Sequence, residues 1–310
     1  MISVDSLTVC YGKLKAVNNV SVEVPDGEVF GLIGPNGAGK TTAMKVLAGL
    51  LLPAAGTVRI DGYDVVCERA AVQARIGYMV DFFGVYDYLA VTEYLEFFAG
   101  VYGVPPGTVE KRIAEVLEIV KLTHKKTAMI HELSRGMKQR LYFARTLVHS
   151  PSLLILDEPA SGMDPRGRSE LMQALREWNE ATGKTIVISS HILDELEQIC
   201  TSVGIMETGS MVGTRSLRGG GKEGEKERRV LLAVAAADRG RARTVLSGLA
   251  QVSDVGERGD EFVLTLPDSD SVVREVIDAL AGESIALLLP RADAAPLEQT
   301  FFTMTKGETT

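Results

Sequence analysis

The sequence has little cysteine and no long apolar run. Cys10, Cys67 and Cys200 lie far apart and form no C-x-x-C pair, so they indicate neither a disulfide framework nor a zinc site. Such sparse cysteine is typical of the reducing cytosol. No run approaches the roughly 18 apolar residues of a transmembrane helix, and the N-terminus lacks the basic start and apolar core of a signal peptide. We therefore expect any role at a membrane to come through a partner.

The chain also lacks a long basic stripe. It carries 41 acidic and 33 basic side chains, which give a formal net charge of −8. This balance argues against a general nucleic-acid binder, and we expect no nucleic acid among its partners.

Length and a change in composition predict two domains. A chain of 310 residues has room for one large or two modest domains. Beyond Arg215, three consecutive glycines and dense mixed charge occur without apolar periodicity, which indicates a flexible linker. We predict a first domain over residues 1–214, a linker over residues 215–229 and a C-terminal accessory domain over residues 230–310.

A glycine-rich stretch, GPNGAGKTT, fills residues 34–42. Its spacing, G-x-x-x-x-G-K-[ST], is that of the Walker A phosphate loop, with a flexible glycine turn as the alternative. A buried strand predicted at 28–33 and helical periodicity over 40–50 favour the phosphate loop. Lys40 would be a catalytic cation for the outer phosphates, and the Thr41 hydroxyl would face Mg²⁺. The predicted nucleotide-binding residues here are Gly34, Pro35, Asn36, Gly37, Ala38, Gly39, Lys40, Thr41 and Thr42.

An apolar strand that ends in acid supplies a second part of such a site. In LLILDEP, residues 153–159, Asp157 would hold Mg²⁺ through water. Glu158 would be the general base for the water that attacks the γ-phosphate. The alternative is a buried strand closed by a solvated acidic turn. We interpret the segment as a Walker B strand.

Apolar patterning around these motifs predicts an α/β fold, a P-loop NTPase core with an antiparallel β subdomain and a helical subdomain. Residues 3–24 alternate between apolar and polar, as in a pair of antiparallel strands. Residues 81–150 are mostly helical by pattern, with breaks at 103–107 and 132–134. Further along, short apolar runs flank a helical stretch, which is the pattern of parallel strands with crossover helices.

The segment after the linker has its own pattern. Strands and helices are predicted in the order βαββαβ, and the last strand is expected at residues 284–289. This order suggests a small α+β domain of the ferredoxin-like kind.

Residues 133–140, LSRGMKQR, resemble the signature motif of ABC ATPases and lie a short helix upstream of the Walker B strand, as in that family. The resemblance extends over about residues 2–214. It implies a head-to-tail dimer in which Ser134 and Gly136 bind the γ-phosphate of ATP held by the opposite subunit. An ordinary serine N-cap is the alternative for Ser134, and it is compatible with that role.

The same resemblance assigns roles to three further residues. Asp164 lies in SGMD, which is similar to the D-loop that crosses the dimer. His191 follows a predicted strand, as does the H-loop histidine that contacts the γ-phosphate, and Tyr11 is similar to the A-loop aromatic that stacks on adenine. The alternatives are a structural histidine and a tyrosine that packs at a strand end. The resemblance implies ATP and Mg²⁺ as the cofactors.

The sequence departs from the family pattern at three positions. Arg135 and Met137 replace residues of the common LSGGQ signature, and Arg135 could bind phosphate, pair with an acid or point to water. Asp81 stands where the family has a glutamine that touches Mg²⁺ or the attacking water and relays the state of the site to the membrane subunit. Aspartate is shorter and charged, so it would need a bridging water or a loop shift. We predict that Asp81 is a metal ligand that couples differently.

Nine phenylalanine and tyrosine residues lie within residues 78–102. Aromatic side chains are favoured anchors of protein interfaces. The resemblance implies that a coupling helix of a transmembrane permease docks here, near residues 81–88, where Phe82, Phe83 and Tyr86 are expected to meet it. The alternative is packing inside the helical subdomain, which we expect for some of Tyr94, Phe97 and Phe98.

The motifs and the resemblance together predict an ATPase, the ATP-binding subunit of an ABC transporter. It would work as a homodimer or heterodimer at the cytoplasmic face of the cell membrane, held there by its permease. The tail PLEQTFFTMTKG, residues 296–307, resembles that of exporter subunits whose permease is a separate chain. One alternative is a soluble ABC ATPase of DNA repair or translation, whose long coiled-coil inserts or tandem domains are lacking here. The other is a non-hydrolysing, nucleotide-gated module, against which Glu158 argues.

Overall fold

The computed structural model describes residues 1–80, 84, 86–217, 227–235, 238–249, 251–258, 261–267, 270–283, 285 and 291–292. The chain forms two compact units, contained within Met1–Arg215 and Ser216–Thr300. Within the described ranges, every helix is too short or too polar to cross a bilayer.

Residues 1–216 alternate between strands and helices. The strands are β1 (Ile2–Tyr11), β2 (Leu14–Val24), β3 (Val29–Ile33), β4 (Ala55–Ile60), β5 (Tyr63–Asp64), β6 (Ile76–Met79), β7 (Leu153–Asp157), β8 (Thr185–Ser190), β9 (Ser202–Glu207) and β10 (Ser210–Ser216). The helices are α1 (Lys40–Leu47), α2 (Arg69–Gln73), α3 (Val91–Val101), α4 (Pro106–Ile119), α5 (Arg135–Leu147), α6 (Pro165–Thr182) and α7 (Leu193–Ile199).

An antiparallel sheet with the order β2-β1-β4-β5 forms the β subdomain. Alternate residues of β1, including Ile2, Val4 and Val9, are buried because successive side chains of a strand point to opposite faces. They join one apolar core with α1 and with the parallel sheet. The predicted pair of antiparallel strands over residues 3–24 is confirmed.

A six-stranded sheet with the order β10-β9-β3-β8-β7-β6 forms the centre of the unit. Strands β3, β7 and β8 are buried along their whole length, as expected for strands covered on both faces. Their pairing is parallel, with Asp157 opposite Ser189 and Ile33 opposite Ser190. The carboxyl ends of the three strands therefore meet at one edge of the sheet.

Helices α3, α4 and α5 form the predicted helical subdomain. The chain turns between α3 and α4 at Gly103, whose φ is +69°, and Pro106 occupies the first position of α4. Ser134 caps α5 through its hydroxyl, which accepts from the Met137 N–H at 3.3 Å. Both predicted helix breaks are confirmed, because these residues favour turns and caps over helix interiors.

The second unit contains a four-stranded antiparallel sheet with helices. Its elements are β11 (Glu227–Ala233), α8 (Arg239–Ser247), β12 (Asp254–Arg258), β13 (Glu261–Pro267), α9 (Asp270–Gly282) and β14 (Arg291–Ala292). The sheet order is β12-β13-β11-β14, which matches the predicted ferredoxin-like arrangement. Apolar residues of β11, β13 and both helices form its core.

Two predictions about this region need correction. The predicted linker at 215–229 is strand at both ends, because Arg215 and Ser216 belong to β10 and Glu227–Arg229 pair with β13. Neighbouring strands form hydrogen bonds with the backbone of these residues, whereas the charged composition alone indicated a backbone exposed to solvent. Most of the strand predicted at 284–289 lies outside the described residues, but Ile285 is not in a strand and the paired segment is β14. The domain boundaries themselves stay a prediction.

Candidate active site

Residues 34–39 form the loop between β3 and α1, and Lys40, Thr41 and Thr42 are the first three residues of that helix. A Cβ at Gly34 would lie 2.3 Å from the carbonyl oxygen of Met206, and a Cβ at Gly39 would lie 2.3 Å from that of Ala16. Gly39 also has a φ of +99°, which favours glycine. The close approach of neighbouring backbone therefore demands glycine at both positions.

The loop offers unpaired donors. Within the described part of the chain, no carbonyl accepts from the N–H groups of Gly37, Gly39, Lys40, Thr41 or Thr42. These groups lie at the positive end of the α1 dipole, where an anion is stabilised. The loop is thus a cradle for a phosphate group.

Lys40 brings a buried cation to this cradle. Its Nζ donates to the carbonyl oxygens of Gly34 at 2.6 Å and Pro35 at 3.2 Å. Burial lowers the pKa of Lys40 from its ordinary value, and the carboxylates of Glu158 and Asp157 partly offset that effect. Because the loop carbonyls hold the ammonium beside the free N–H groups, the cation is prepositioned for an anionic ligand.

A serine that the sequence analysis missed joins the two acidic residues at the end of β7, Asp157 and Glu158. The Ser189 hydroxyl donates to Asp157 Oδ1 at 2.7 Å and accepts from the Glu158 N–H at 3.0 Å. Asp157 and Ser189 are buried and lie opposite each other in the β7–β8 register. Ser189 thus fixes both the Asp157 carboxylate and the backbone of Glu158.

Glu158 connects the loop lysine to His191. Its Oε1 lies 3.9 Å from Lys40 Nζ, and its Oε2 lies 2.6 Å from His191 Nδ1. An ionised carboxylate only accepts, so this contact places the imidazole hydrogen on Nδ1. Glu158 has a φ of +49°, a left-handed conformation that is rare outside glycine. The structure therefore holds this carboxylate in a strained position between two cationic or donor groups, which is typical of functional sites.

A buried network behind His191 was also absent from the sequence analysis. Ser190, the neighbour of His191, donates to Glu195 Oε2 at 2.6 Å and accepts from the Ile192 N–H at 3.0 Å. Arg168 of α6 forms an ion pair with Glu195, whose Oε1 lies 3.0 Å from the Arg168 Nε. The turn that carries His191 is thereby anchored to α6 and α7. A serine pair before a histidine is the signal that could have found it.

The other predicted site residues lie apart from this centre. Tyr11 ends β1 with 49% of its surface exposed. Ser134 and Gly136 lie at the exposed start of α5, and Asp164 caps α6 by accepting from the Gly167 N–H at 3.0 Å. That bond lowers the pKa of Asp164. No hydrogen bond or ion pair within the described ranges joins these four residues to Lys40 or Glu158, and Asp81 lies outside those ranges.

Comparison with known proteins decides the family. A family model described as "ABC transporter" matches residues 17–161. The linearmycin resistance ATP-binding protein LnrL of Bacillus subtilis (strain 168) is 37% identical over 218 residues, which cover 70% of this chain and 70% of that protein. The chain belongs to the ABC transporter ATP-binding family.

Other relatives of this ABC protein agree. The bacitracin transport ATP-binding protein BcrA of Enterococcus faecalis is 40% identical over 212 residues, 68% of each chain. The Nod factor export ATP-binding protein I of Ralstonia nicotianae is 35% identical over 212 residues, which cover 68% of this chain and 66% of that protein.

Solved structures show the same cassette fold. The dimeric structure of the bacterial ABC transporter cassette MJ0796 has a TM-score of 0.64 at 26% identity and covers 71% of this chain and 100% of that one. A dimeric post-hydrolysis state of the same cassette, bound to ADP and Pi, gives 0.64 at 25% identity with the same coverage. The ABC chain is thus an ATPase that uses ATP with Mg²⁺, from a family whose cassettes dimerise and work with transmembrane permeases.

The residues of this ABC protein fit Mg²⁺. Thr41 is exposed in the first turn of α1, and Asp157 ends β7 at the same edge of the sheet. One carboxylate and one hydroxyl suit this ion, which keeps several waters and takes its remaining ligands from substrate phosphates. The described side chains include no cluster of three or more His, Cys, Asp or Glu that would hold a metal unaided.

Proposed function

We propose that this chain is the ATP-hydrolysing subunit of an exporter whose permease is a separate chain. The observation that carries the proposal is the position of one carboxylate, that of Glu158, between Lys40 of the phosphate loop and His191. The names of three relatives, which mention linearmycin resistance, bacitracin transport and Nod factor export, support transport out of the cell. None of these three names points to DNA repair or translation.

The chain's own residues divide the work of hydrolysis. The free N–H groups of the loop and Lys40 bind the phosphates. Thr41 and Asp157 would hold Mg²⁺, which would neutralise the charge that develops on the phosphates. Glu158 takes a proton from the attacking water. The His191 contact at Oε2 and the Lys40 ammonium near Oε1 fix the direction in which the carboxylate meets that water. His191 keeps that carboxylate oriented and contacts the γ-phosphate.

The remaining predicted residues require a second copy or a partner. The exposed start of α5 presents Ser134 and Gly136, and Asp164 lies at the exposed start of α6. We assign these residues to the ATP site of the opposite subunit in a homodimer or heterodimer. Tyr11, exposed at the end of β1, stacks on adenine.

An exposed aromatic surface supports permease docking in the helical subdomain. It consists of Tyr86, Tyr88, Phe97, Val101 and Tyr102, which are 57%, 88%, 52%, 63% and 37% exposed. We call it the aromatic surface. Large exposed apolar side chains that lie close together are typical of an interaction site. It begins within the predicted segment at residues 81–88 and continues along α3, and it brings the chain to the cytoplasmic face of the membrane.

Some of the phenylalanine and tyrosine residues within residues 78–102 pack inside the helical subdomain, as the alternative interpretation predicts. Tyr94 is fully buried and Phe98 is half-buried, with ring centroids 5.0 Å apart. Phe97, which the sequence also offered as a packing residue, is exposed and touches Tyr86 edge-on at 6.1 Å. The buried residues of α3 are Val91, Tyr94, Leu95 and Ala99. Phe97 is a neighbour of Tyr94 around the helix but lies just beyond the edge of this buried stripe, so its ring is exposed.

Replacement of Tyr88 or Phe97 by aspartate should abolish stimulation of ATPase activity by the permease while basal activity stays unchanged. A charge in the centre of an apolar interface removes a contact and adds a desolvated carboxylate, so we expect binding to weaken by about 30-fold or more. The measurement compares basal and stimulated hydrolysis by the full chain, with a candidate permease reconstituted in proteoliposomes.

Leu52→Asp is the matched control, since Leu52 is 66% exposed outside the aromatic surface. Equal loss of stimulation in this control would remove the assignment of the surface. A wild-type chain that neither binds the permease nor responds to it would remove the transport function itself.

The Asp81 proposal has a separate test. Asp81→Ala should lower both the ATPase rate and its stimulation by the permease, because a metal ligand that also relays the state of the site is lost. Asp81→Gln, which restores the residue common in the family, should recover the stimulation. Unchanged rates for Asp81→Ala, basal and stimulated, would show that Asp81 has neither role.

A further inference from the structure

Arg135, the residue that departs from the common signature motif, lies against a glycine of a different loop. A Cβ at Gly162 would lie 2.1 Å from Nη2 and 2.5 Å from Cζ of Arg135. The guanidinium group therefore rests directly on the Gly162 backbone, and any side chain at position 162 would displace it. The φ of Gly162, +68°, likewise favours glycine.

The Arg135 cation has no other partner within the described part of the chain. Its side chain is exposed, and it forms neither an ion pair nor a hydrogen bond there. The sequence allowed three roles for Arg135: binding phosphate, pairing with an acid or pointing to water. Within the described part of the chain, Arg135 does not pair with an acid. Contact with Gly162 is the interaction that the structure provides.

Helices on both sides hold the loop of residues 159–164, which contains Gly162. Gln139 of α5, itself buried, donates through Nε2 to the Pro159 carbonyl oxygen at 2.5 Å. Arg168 of α6 donates through Nη2 to the Met163 carbonyl oxygen at 3.5 Å. Between these two anchors, Arg135 is the side chain that covers the middle of the loop.

The loop is hydrogen-bonded to the backbone of Glu158, the residue whose carboxylate lies in the active site. The Ser161 N–H donates to the Glu158 carbonyl oxygen at 3.0 Å, and the Met163 N–H donates to that of Ala160 at 3.2 Å. Gly162 thus lies between Ser161, which is hydrogen-bonded to the Glu158 backbone, and Met163, which precedes Asp164. A shift of Gly162 would therefore be passed to both residues.

We propose that Arg135 is a positioning residue, which holds the loop of residues 159–164 and, through it, Glu158 and Asp164 in place for hydrolysis. This proposal deepens the proposed function and rests on it. The planar guanidinium suits the task, because it can lie flat on a glycine where a tetrahedral ammonium cannot.

Arg135→Ala should lower kcat by about 10-fold to 100-fold and leave KM for ATP unchanged, because small misplacement of catalytic groups slows chemistry without removing a nucleotide contact. The melting temperature should change little, since the side chain is exposed. Steady-state ATP hydrolysis and thermal unfolding of the full chain measure these quantities. A rise in KM alone, or an unchanged kcat, would overturn the proposal.

A double-mutant cycle with Gly162→Ala tests the contact itself. In the wild-type background, the added Cβ must displace Arg135 and also strains a positive-φ position, so it should lower kcat. In the Arg135→Ala background only the backbone strain remains, so the same change should lower kcat less. Fully multiplicative effects would mean that the two residues act independently and would overturn the proposal.

Arg135→Lys keeps the test valid if Gly162→Ala does not fold. Lysine retains the charge but lacks the plane, so we expect it to behave like alanine. Wild-type kcat with lysine would show that the charge acts, on an anion, and would contradict a positioning role. Glu158→Gln in the same assay distinguishes failure of the proposed function from failure of the Arg135 proposal. Hydrolysis that is insensitive to Glu158→Gln would contradict the proposed function itself.

Discussion

Glu158→Gln should reduce kcat for ATP hydrolysis by a factor of about 10²–10⁴, the usual contribution of a general base. Glutamine keeps the size of the side chain and an oxygen that accepts from His191 Nδ1, but it cannot take the proton of the attacking water. ATP affinity should change little, because the phosphate contacts come from the loop and Lys40. Single-turnover hydrolysis and equilibrium ATP binding measure the two quantities separately.

Glu177→Gln is the matched control for that experiment. Glu177 lies on α6, is exposed and accepts from Gln173 at 2.7 Å, so the same chemical change there leaves the active site intact. Equal hydrolysis by wild type and Glu158→Gln would remove the general-base mechanism. Loss of ATP binding together with hydrolysis would show that the carboxylate supports the phosphate loop instead.

The geometry around Glu158 explains why this position tolerates strain. A non-glycine residue in the left-handed region costs of the order of 1–3 kcal/mol, and it persists only where neighbours hold it. Here Ser189 accepts from the Glu158 N–H, and Lys40 and His191 face the two carboxylate oxygens. The left-handed backbone conformation of Glu158 directs its carboxylate away from the axis of β7 and toward the phosphate loop.

Much of this site follows from the sequence, because its parts end strands of one parallel sheet. Residues 34–42 follow β3, Glu158 follows β7 and His191 follows β8. Carboxyl ends of parallel strands lie at one edge, and ligands of open α/β sheets bind there. Three buried strands therefore place Lys40, Glu158 and His191 at one edge of the sheet, whereas the role of His191 there is implied by the family resemblance.

Contacts that depend on register and rotamer could not be predicted in the same way. Ser189 lies opposite Asp157 only because β7 and β8 pair in that register, and a serine at a strand end has no distinctive pattern. The contacts of His191 with Glu158 and of Arg135 with Gly162 depend on side-chain packing between segments that are far apart in sequence. Local periodicity carries no information about such pairs.

The second unit shows a similar limit at the level of strands. Its βαββαβ order was predictable because each element keeps its own period, of two or 3.6 residues. The position of the last strand was not, since the described part of β14, Arg291 and Ala292, is defined by its pairing with β11. Whether a short edge strand forms depends more on hydrogen bonds to the adjacent strand than on the composition of the segment itself.

Lys40→Ala should weaken ATP binding by about 10-fold to 150-fold and reduce hydrolysis at least as much. Hydrogen bonds to charged groups contribute roughly 1.5–3 kcal/mol each, and tenfold in affinity is about 1.4 kcal/mol. The free chain should lose some stability, because the Gly34 and Pro35 carbonyl oxygens lose their donor, and the removed desolvation cost of the ammonium only partly offsets this loss. Thermal unfolding with and without ATP and Mg²⁺ separates these effects. At an ATP concentration about 100 times the wild-type Kd, wild type should gain about 2.7 kcal/mol, whereas a variant with 100-fold weaker binding should gain about 0.4 kcal/mol.

Lys45→Ala provides the matched comparison for this result, since Lys45 lies on the same helix but is exposed to solvent. It should retain the full gain in stability from ATP, because its ammonium is one turn beyond the cradle and faces water. A variant of Lys40 that keeps the full gain would show that the loop N–H groups alone bind the phosphates. The ammonium held by Gly34 and Pro35 would then serve to shape the loop, and its 3.9 Å approach to Glu158 would be its main electrostatic role.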